Sequence, residues 1–241
     1  MTAGLAGTLE AAAGEARRYP ARHLVEDAVL VLGGERVAVV VKRVRRRRFE
    51  RDGRTRAERS LAVAQALAAA GIGTPEPMGV EVTPEESVFV ARRLEGAAQV
   101  REWFLHRDDP ARFPAPALPF RLEDVVDGLG RLARRLHDAG VFFRDFTDGN
   151  VLLTAGEAGE PRFWLVDLDR ARIQGRPLGW TLRMRDLARP GLNRREDRAR
   201  LLAAYCAPRP APAWLRGCVT LLRERIVLWD ALKRTLRPWR R

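Results

Sequence analysis

The sequence predicts an α+β protein of two lobes, a small antiparallel sheet with one helix followed by a mainly helical part. Three observations predict it. Residues 28–44, AVLVLGGERVAVVVKRV, hold two β-branched apolar runs around Gly33-Gly34, the pattern of a strand hairpin. Residues 57–70, AERSLAVAQALAAA, have high helix propensity and stop at Gly71, and two more strand-like stretches, 78–82 and 87–94, follow among prolines at 75, 77 and 84. Beyond Ala97 helical patterning dominates. The expected organisation is a tail over 1–18, a first lobe over 19–95 and a second over 96–241.

A chain of 241 residues with 46% hydrophobic content can bury a sizeable core. Its 44 Lys and Arg against 31 Asp and Glu leave a formal net charge of +13, which calls for an anionic partner. Nucleic acid, an acidic membrane surface and a phosphorylated substrate all meet that demand, and charge alone does not choose among them. Most of the excess is arginine, which suits bidentate phosphate contacts. Cys206 and Cys218 sit in no CxxC or Cys/His cluster, so zinc is not expected and a reducing cytosol is. The N-terminus lacks the basic start and apolar run of a signal peptide, and no stretch reaches about 18 apolar residues, the length needed to span a bilayer.

In chain order, the Ala/Gly-rich tail over 1–18 is a frayed end or a short helix with no assigned chemistry. The second hairpin strand ends on Lys42, either a charged strand end or a phosphate-binding lysine. Next come arginines at 43, 45, 46, 47, 48, 51, 54, 56 and 59, a solvated face or an anion-facing run; nuclear targeting or RNA binding would look similar. Glu58, in the first turns of the helix predicted over 56–70, either favours the helix dipole or reaches a neighbouring lysine. Glu95-Gly96 is a linker. After four prolines within 110–119, Leu122 to Ala139 form an amphipathic helix closed by Gly140, and His137 near its end is expected to be a packed, structural histidine. The last segment, from Trp214, combines Leu221, Leu222, Ile226, Trp229, Leu232 and Leu236 with many arginines. It either docks on the core or lies on an anionic membrane, with Trp239 and the terminal arginines beyond Pro238 as an interfacial anchor.

The chemistry concentrates in residues 136–170. There Asp145 is followed five residues later by Asn150 and the apolar run Val151-Leu152-Leu153, and a second run, Phe163 to Val166, delivers Asp167. Phosphoryl transfer from ATP needs a carboxylate to orient the attacking hydroxyl and accept its proton, and oxygen ligands for Mg²⁺. Asp145 supplies the first, and Asn150 and Asp167 the second. Asp169 competes with Asp167 for the metal, but Asp167 comes first after the strand. Taken singly, Asp145, Asp148, Gly149 and Asn150 are ordinary turn formers; the ordered set, downstream of a strand lysine and a helix glutamate, points to a kinase.

At these residues the chain resembles the protein-kinase-like superfamily, and within it the lipopolysaccharide kinases of the Kdo kinase and WaaP type. The segments VVVKRV, AERSLAVAQALAAAGIGTPEP, RRLEGA, LARRLHDAGVFFRDFTDGNVLL, FWLVDLDRAR and RDLAR with RARLLAAY carry the resemblance, from about Ala28 to Tyr205. It implies a two-lobed protein-kinase-like fold that uses ATP and Mg²⁺. Lys42 would contact the α and β phosphates, Glu58 would pair with Lys42, and Leu94, Glu95 and Gly96 would form the adenine-binding hinge. Asp145 would be the catalytic base, Asn150 and Asp167 would hold Mg²⁺, and Asp186 would brace the catalytic loop.

Departures from the pattern narrow the expectation. Phe143 stands in place of the usual histidine, and no G-x-G-x-x-G precedes Lys42, leaving backbone groups near residues 22–27 as a substitute. Thr147 stands where protein serine/threonine kinases commonly carry lysine, Gly149 precedes Asn150 as in kinases of small molecules, and no A-P-E follows Asp167. The resemblance therefore implies transfer of the γ-phosphate to a sugar hydroxyl of the lipopolysaccharide inner core, Kdo or heptose. The expected location is cytoplasmic, peripheral on the inner face of the cytoplasmic membrane. The partners would be a phosphorylated glycolipid or sugar acceptor and an anionic membrane surface, with nucleic acid not expected and no obligate protein partner. The alternatives are a protein or small-metabolite kinase of the same fold, and a non-catalytic nucleotide- or RNA-binding pseudokinase.

Overall fold

The computed structural model describes residues 8–11, 18–19, 24–46 and 53–236. Arg22, Arg47, Arg48, Arg51, Trp239 and the terminal arginines, which figure in the expectations above, lie outside them. The α+β class is observed, and the chain forms two compact units, Met1–Ala97 with Trp164–Ala171, and Ala98–Phe163 with Arg172–Arg241. The eight residues that carry Asp167 thus pack with the first unit, although the sequence reading placed them in the second lobe. Leu165 N–H donates to Gly73 O at 2.9 Å and Thr74 Oγ1 to Leu165 O at 2.9 Å, which ties that segment down.

The first unit holds β1 (Thr8–Ala11), β2 (Arg18–Tyr19), β3 (Leu24–Leu32), β4 (Glu35–Arg45), α1 (Arg56–Ala69), β5 (Pro77–Val82) and β6 (Glu86–Arg92). The sheet is antiparallel with order β1-β3-β4-β6-β5, and β2 also pairs with β3. Gly33 and Gly34 make the hairpin turn with φ of +56° and +90°, values that glycine adopts without Cβ strain. Period-two alternation puts Val37, Val39 and Val41 on one face, packed with Leu30, Val88 and Val90. The opposite face receives α1, whose Ala57 and Leu61 pack with Val80 and Phe89. Lys42 lies directly across from Phe89 and shares that face.

Two expectations are corrected here. β4 does not end on Lys42 but runs to Arg45, because Arg43 is held on both sides, by Glu26 of β3 at 3.1 Å and Glu86 of β6 at 2.9 Å. The tail is neither frayed nor helical over Thr8–Ala11, which pairs with β3 from Thr8↔Val31 to Ala11↔Ala28 and satisfies that strand's outer edge. Arg46, from the arginine run, also has structural partners, since its Nη1 donates to Thr83 O at 3.1 Å and its N–H to Glu85 O at 2.8 Å.

The second unit contains β7 (Ala98–Gln99), α2 (Arg101–Asp108), α3 (Leu122–Asp138), β8 (Val141–Phe142), β9 (Val151–Ala155), part of β10 (Pro161–Leu165), β11 (Arg172–Ile173), α4 (Trp180–Leu187), α5 (Arg195–Cys206) and α6 (Ala213–Leu236). Strands β10-β9-β7 form one small sheet and β11-β8 another. The apolar stripe of α3 is buried as its spacing predicts, at Val125, Val126, Leu129, Leu132, Ala133 and Leu136, and packs on Leu201, Leu202 and Tyr205 of α5. Gly130 permits that approach, for a Cβ there would lie 2.5 Å from Leu201 O. α6 buries Leu215 and Val219 near its start, whereas Leu221, Leu228, Trp229, Leu232 and Leu236 are exposed, Leu221 at 72% and Leu228 at 69%.

Candidate active site

In the second unit, α3 and β8 deliver the chain to Phe143, Arg144 and Asp145. The main chain is held there by one buried carboxylate from α4: Phe143 N–H donates to Asp186 Oδ2 and Arg144 N–H to Asp186 Oδ1, each at 2.8 Å. Charge-assisted bonds to two successive amides fix the backbone immediately before Asp145. Phe143, buried and edge-on to Phe146 at 6.2 Å, adds an apolar anchor. Because the brace uses the amide of residue 143, the absence of a histidine side chain there does not remove it. Past Asp145 the loop closes on itself: Thr147 N–H and Asn150 Nδ2 both donate to Asp145 O, at 2.7 and 2.9 Å, and Asn150 N–H donates to Thr147 O at 3.0 Å. With Nδ2 so engaged, Oδ1 is the group that Asn150 offers a cation.

Behind Asp186 lies a polar network that sequence reasoning did not find. His137 is fully buried, as expected of a structural residue, with Nδ1 3.0 Å from Tyr205 Oη and Nε2 3.6 Å from Asp186 Oδ2. Arg183 donates from Nη1 to Tyr205 Oη at 2.8 Å, from Nη2 to Asp138 Oδ1 at 2.8 Å and from Nε to Leu178 O at 2.7 Å. Burial pushes the His137 pKa down against the pull of Asp186, and burial raises that of Tyr205 despite Arg183. A neutral imidazole and a protonated phenol result. Since Tyr205 accepts from Arg183 and has one proton to give, the network assigns that proton to His137 Nδ1, which leaves the imidazole proton on Nε2, 3.6 Å from Asp186 Oδ2 and beyond hydrogen-bond distance.

In the first unit, β4 presents Lys42, whose Nζ pairs with Asp167 and lies 3.6 Å from Asp169 Oδ2. Asp169 Oδ2 is also 3.5 Å from Arg56 Nη1, and Arg59 Nε donates to Asp169 O at 3.4 Å. The Asp167 side chain is 43% exposed and that of Asp169 4%. Asp167 has φ of +61°, and with Arg144 at +70° it is one of two non-glycine residues at positive φ among the described residues. Such backbone positions concentrate at functional sites.

The expected Lys42–Glu58 pair is not formed. Glu58 stands at the third position of α1, where its Oε2 accepts from Thr55 N–H at 2.8 Å while Thr55 Oγ1 accepts from Glu58 N–H at 3.2 Å, a complete capping box. Leu94, Glu95 and Gly96 follow β6 in a turn, with Glu95 and Gly96 exposed. Among the described residues no three His, Cys, Asp or Glu side chains cluster as a ready-made metal cage. The carboxylate of Asp167 in the first unit and the amide oxygen of Asn150 in the second are each a hard oxygen donor of the kind Mg²⁺ takes.

Comparison with known proteins supplies a family and a fold. The lipopolysaccharide kinase (Kdo/WaaP) family model matches residues 21–205. A solved structure, "WaaP in complex with acyl carrier protein", is similar with a TM-score of 0.59 at 22% sequence identity, over 88% of this chain and 87% of that one. Comparison with curated proteins gives no match.

Proposed function

Because the chain belongs to the lipopolysaccharide kinase (Kdo/WaaP) family, we propose that it transfers the γ-phosphate of ATP to a sugar hydroxyl of the lipopolysaccharide inner core, on Kdo or heptose. The observation that carries catalysis is the pair of amide bonds to Asp186, a buried carboxylate committed to holding the backbone next to Asp145. Asp145 orients the acceptor hydroxyl and takes its proton. Lys42 contacts the phosphates, the backbone of Leu94, Glu95 and Gly96 receives the adenine, and Asn150 and Asp167 hold Mg²⁺, which supplies neutralisation of the triphosphate charge.

The site of action in this reading is the inner face of the cytoplasmic membrane. No helix among the described residues is long and apolar enough to cross a membrane. The exposed apolar residues of α6, among Arg225 and Lys233, support peripheral contact with anionic lipid. The similar WaaP structure is a complex with acyl carrier protein, so a carrier protein joins the partners to be tested, where the sequence implied none.

The test is transfer of labelled phosphate from ATP to Kdo-bearing lipid A precursors by the purified full chain. Asp145→Asn is expected to remain folded and to lose at least about a hundredfold in turnover, the scale of general-base catalysis. Unchanged turnover in that variant would remove Asp145 from its role. Phosphorylation of peptides but not of lipopolysaccharide precursors would overturn the acceptor.

A further inference from the structure

A lysine that grips phosphates must itself be held. On the face of the sheet where Lys42 lies, the covering helix α1 carries one acid, Glu58. That acid is engaged elsewhere, for its carboxylate closes the capping box with Thr55, which is 3% exposed. A cap needs only a carbonyl-type oxygen at this position, so glutamine serves as well as glutamate. The partner of an ammonium needs the charge.

Asp169 has the charge and the place. Its buried carboxylate lies between Lys42 and Arg56, and its backbone carbonyl receives Arg59 from the next position but two along the same helix. A buried carboxylate cannot give up its cations without stranding its own charge, whereas an exposed one can exchange a lysine for a metal ion at little cost. The two aspartates of the D-L-D segment differ in just this respect, Asp169 being buried and Asp167 exposed.

We propose that Asp169, not Glu58, is the positioning residue that holds Lys42 for the nucleotide phosphates, and that Arg56 and Arg59 tether it to the first turn of α1. Asp167 is then the member of the pair that exchanges its lysine for magnesium. The inference rests on the kinase reading above and refines it. It gives the second aspartate a duty separate from the metal, and it removes the charge of Glu58 from the nucleotide site.

The test is Mg²⁺·ATP binding, titrated with a fluorescent ATP analogue, in the full chain and in Asp169→Asn and Glu58→Gln, with thermal melting of each. Asp169→Asn is expected to weaken nucleotide affinity by about 10- to 100-fold, the usual loss when a residue that orients a binding group is removed, with the acceptor KM unchanged. Glu58→Gln, which keeps the cap, is expected to bind ATP like the wild type. A tenfold loss in Glu58→Gln overturns the proposal by itself, even if Asp169→Asn fails to fold. A folded Asp169→Asn that melts lower yet binds ATP normally also overturns it, because the role is then only structural. Should Asp169→Asn not fold, Arg56→Gln removes the tether from a half-buried position, and unchanged ATP affinity there overturns the proposal. A wild-type chain that binds no ATP would instead overturn the kinase reading itself.

Discussion

Replacing Asp186 by asparagine turns one carboxylate oxygen into an amide NH₂. Whichever way the amide rotates, one of the two N–H groups it now serves, that of Phe143 or that of Arg144, faces a donor instead of an acceptor. One 2.8 Å bond to a charged acceptor is lost, worth about 1.5–3 kcal/mol, and the remaining bond is to a neutral oxygen. The amide would also meet His137 Nε2–H, 3.6 Å from Asp186 Oδ2 in the native protein. We therefore expect Asp186→Asn to cost about 2–4 kcal/mol in urea unfolding and to lower turnover by at least about a hundredfold, since loosening of roughly 1 Å beside a reacting group has that effect. ATP affinity should fall less than turnover, because Lys42, Asp167 and Asp169 belong to the other unit and only Asn150 lies in the loosened loop. The assay pairs urea denaturation with single-turnover phosphate transfer. An Asp186→Asn protein within about 0.5 kcal/mol of wild type, the range of ordinary surface changes, would refute the reasoning that the carboxylate holds the loop.

Two further predictions follow from buried and exposed extremes of the second unit. His137 has a folded pKa below its ordinary value of 6.5, chiefly through burial. Its contribution to stability is thus fully present above pH 6.5 and is lost as pH falls below it, with a slope of up to about 1.4 kcal/mol per pH unit until the folded pKa is reached. Urea midpoints measured from pH 7.5 downward should show that slope in the wild type and lose it in His137→Gln; an identical slope in the variant would sink the assignment. On α6, replacing exposed Leu228 and Leu232 by serine should leave the melting temperature within error and reduce co-sedimentation with anionic vesicles by about tenfold or more, given about 1.5–3 kcal/mol per buried leucine. Unaltered sedimentation would leave that stripe without a membrane role.

Much of the fold was legible because its signals are local. Two adjacent glycines between β-branched runs admit little but a hairpin, and the stripe on α3 specifies a buried face by spacing alone. The extension of β4 was not legible, because arginines look like a loop until Glu26 and Glu86 are known to flank Arg43. Nor was β1, four residues, TLEA, that acquire strand structure from the open edge of β3.

The same contrast divides the site. Asp145 and Asn150 are five residues apart and their contact is written in the loop that joins them. Lys42 and Asp167 are 125 positions apart, and their pairing was not legible: the resemblance gave Lys42 to Glu58 and Asp167 to the metal. The competition between Glu58 and Asp169 could not be resolved from sequence, because a threonine three residues before a glutamate is equally a capping box and a coincidence until the hydrogen bonds are seen. The network of His137, Arg183 and Tyr205 had no signal at all. Histidine and tyrosine lie 68 residues apart, and each is unremarkable in its own helix.

The positive φ of Asp167 limits what experiments at that position can say. Among residues with a side chain, asparagine and aspartate enter left-handed backbone with least strain, and glutamate or alanine does so at greater cost. An alanine scan would therefore combine a backbone penalty with a chemical one and overstate the importance of the carboxylate. Asparagine is the substitution that isolates charge, and glycine the one that isolates the side chain. A library in which glutamate fails at 167 would say nothing about metal preference, because the chain has already chosen the shorter acid for a reason of its own.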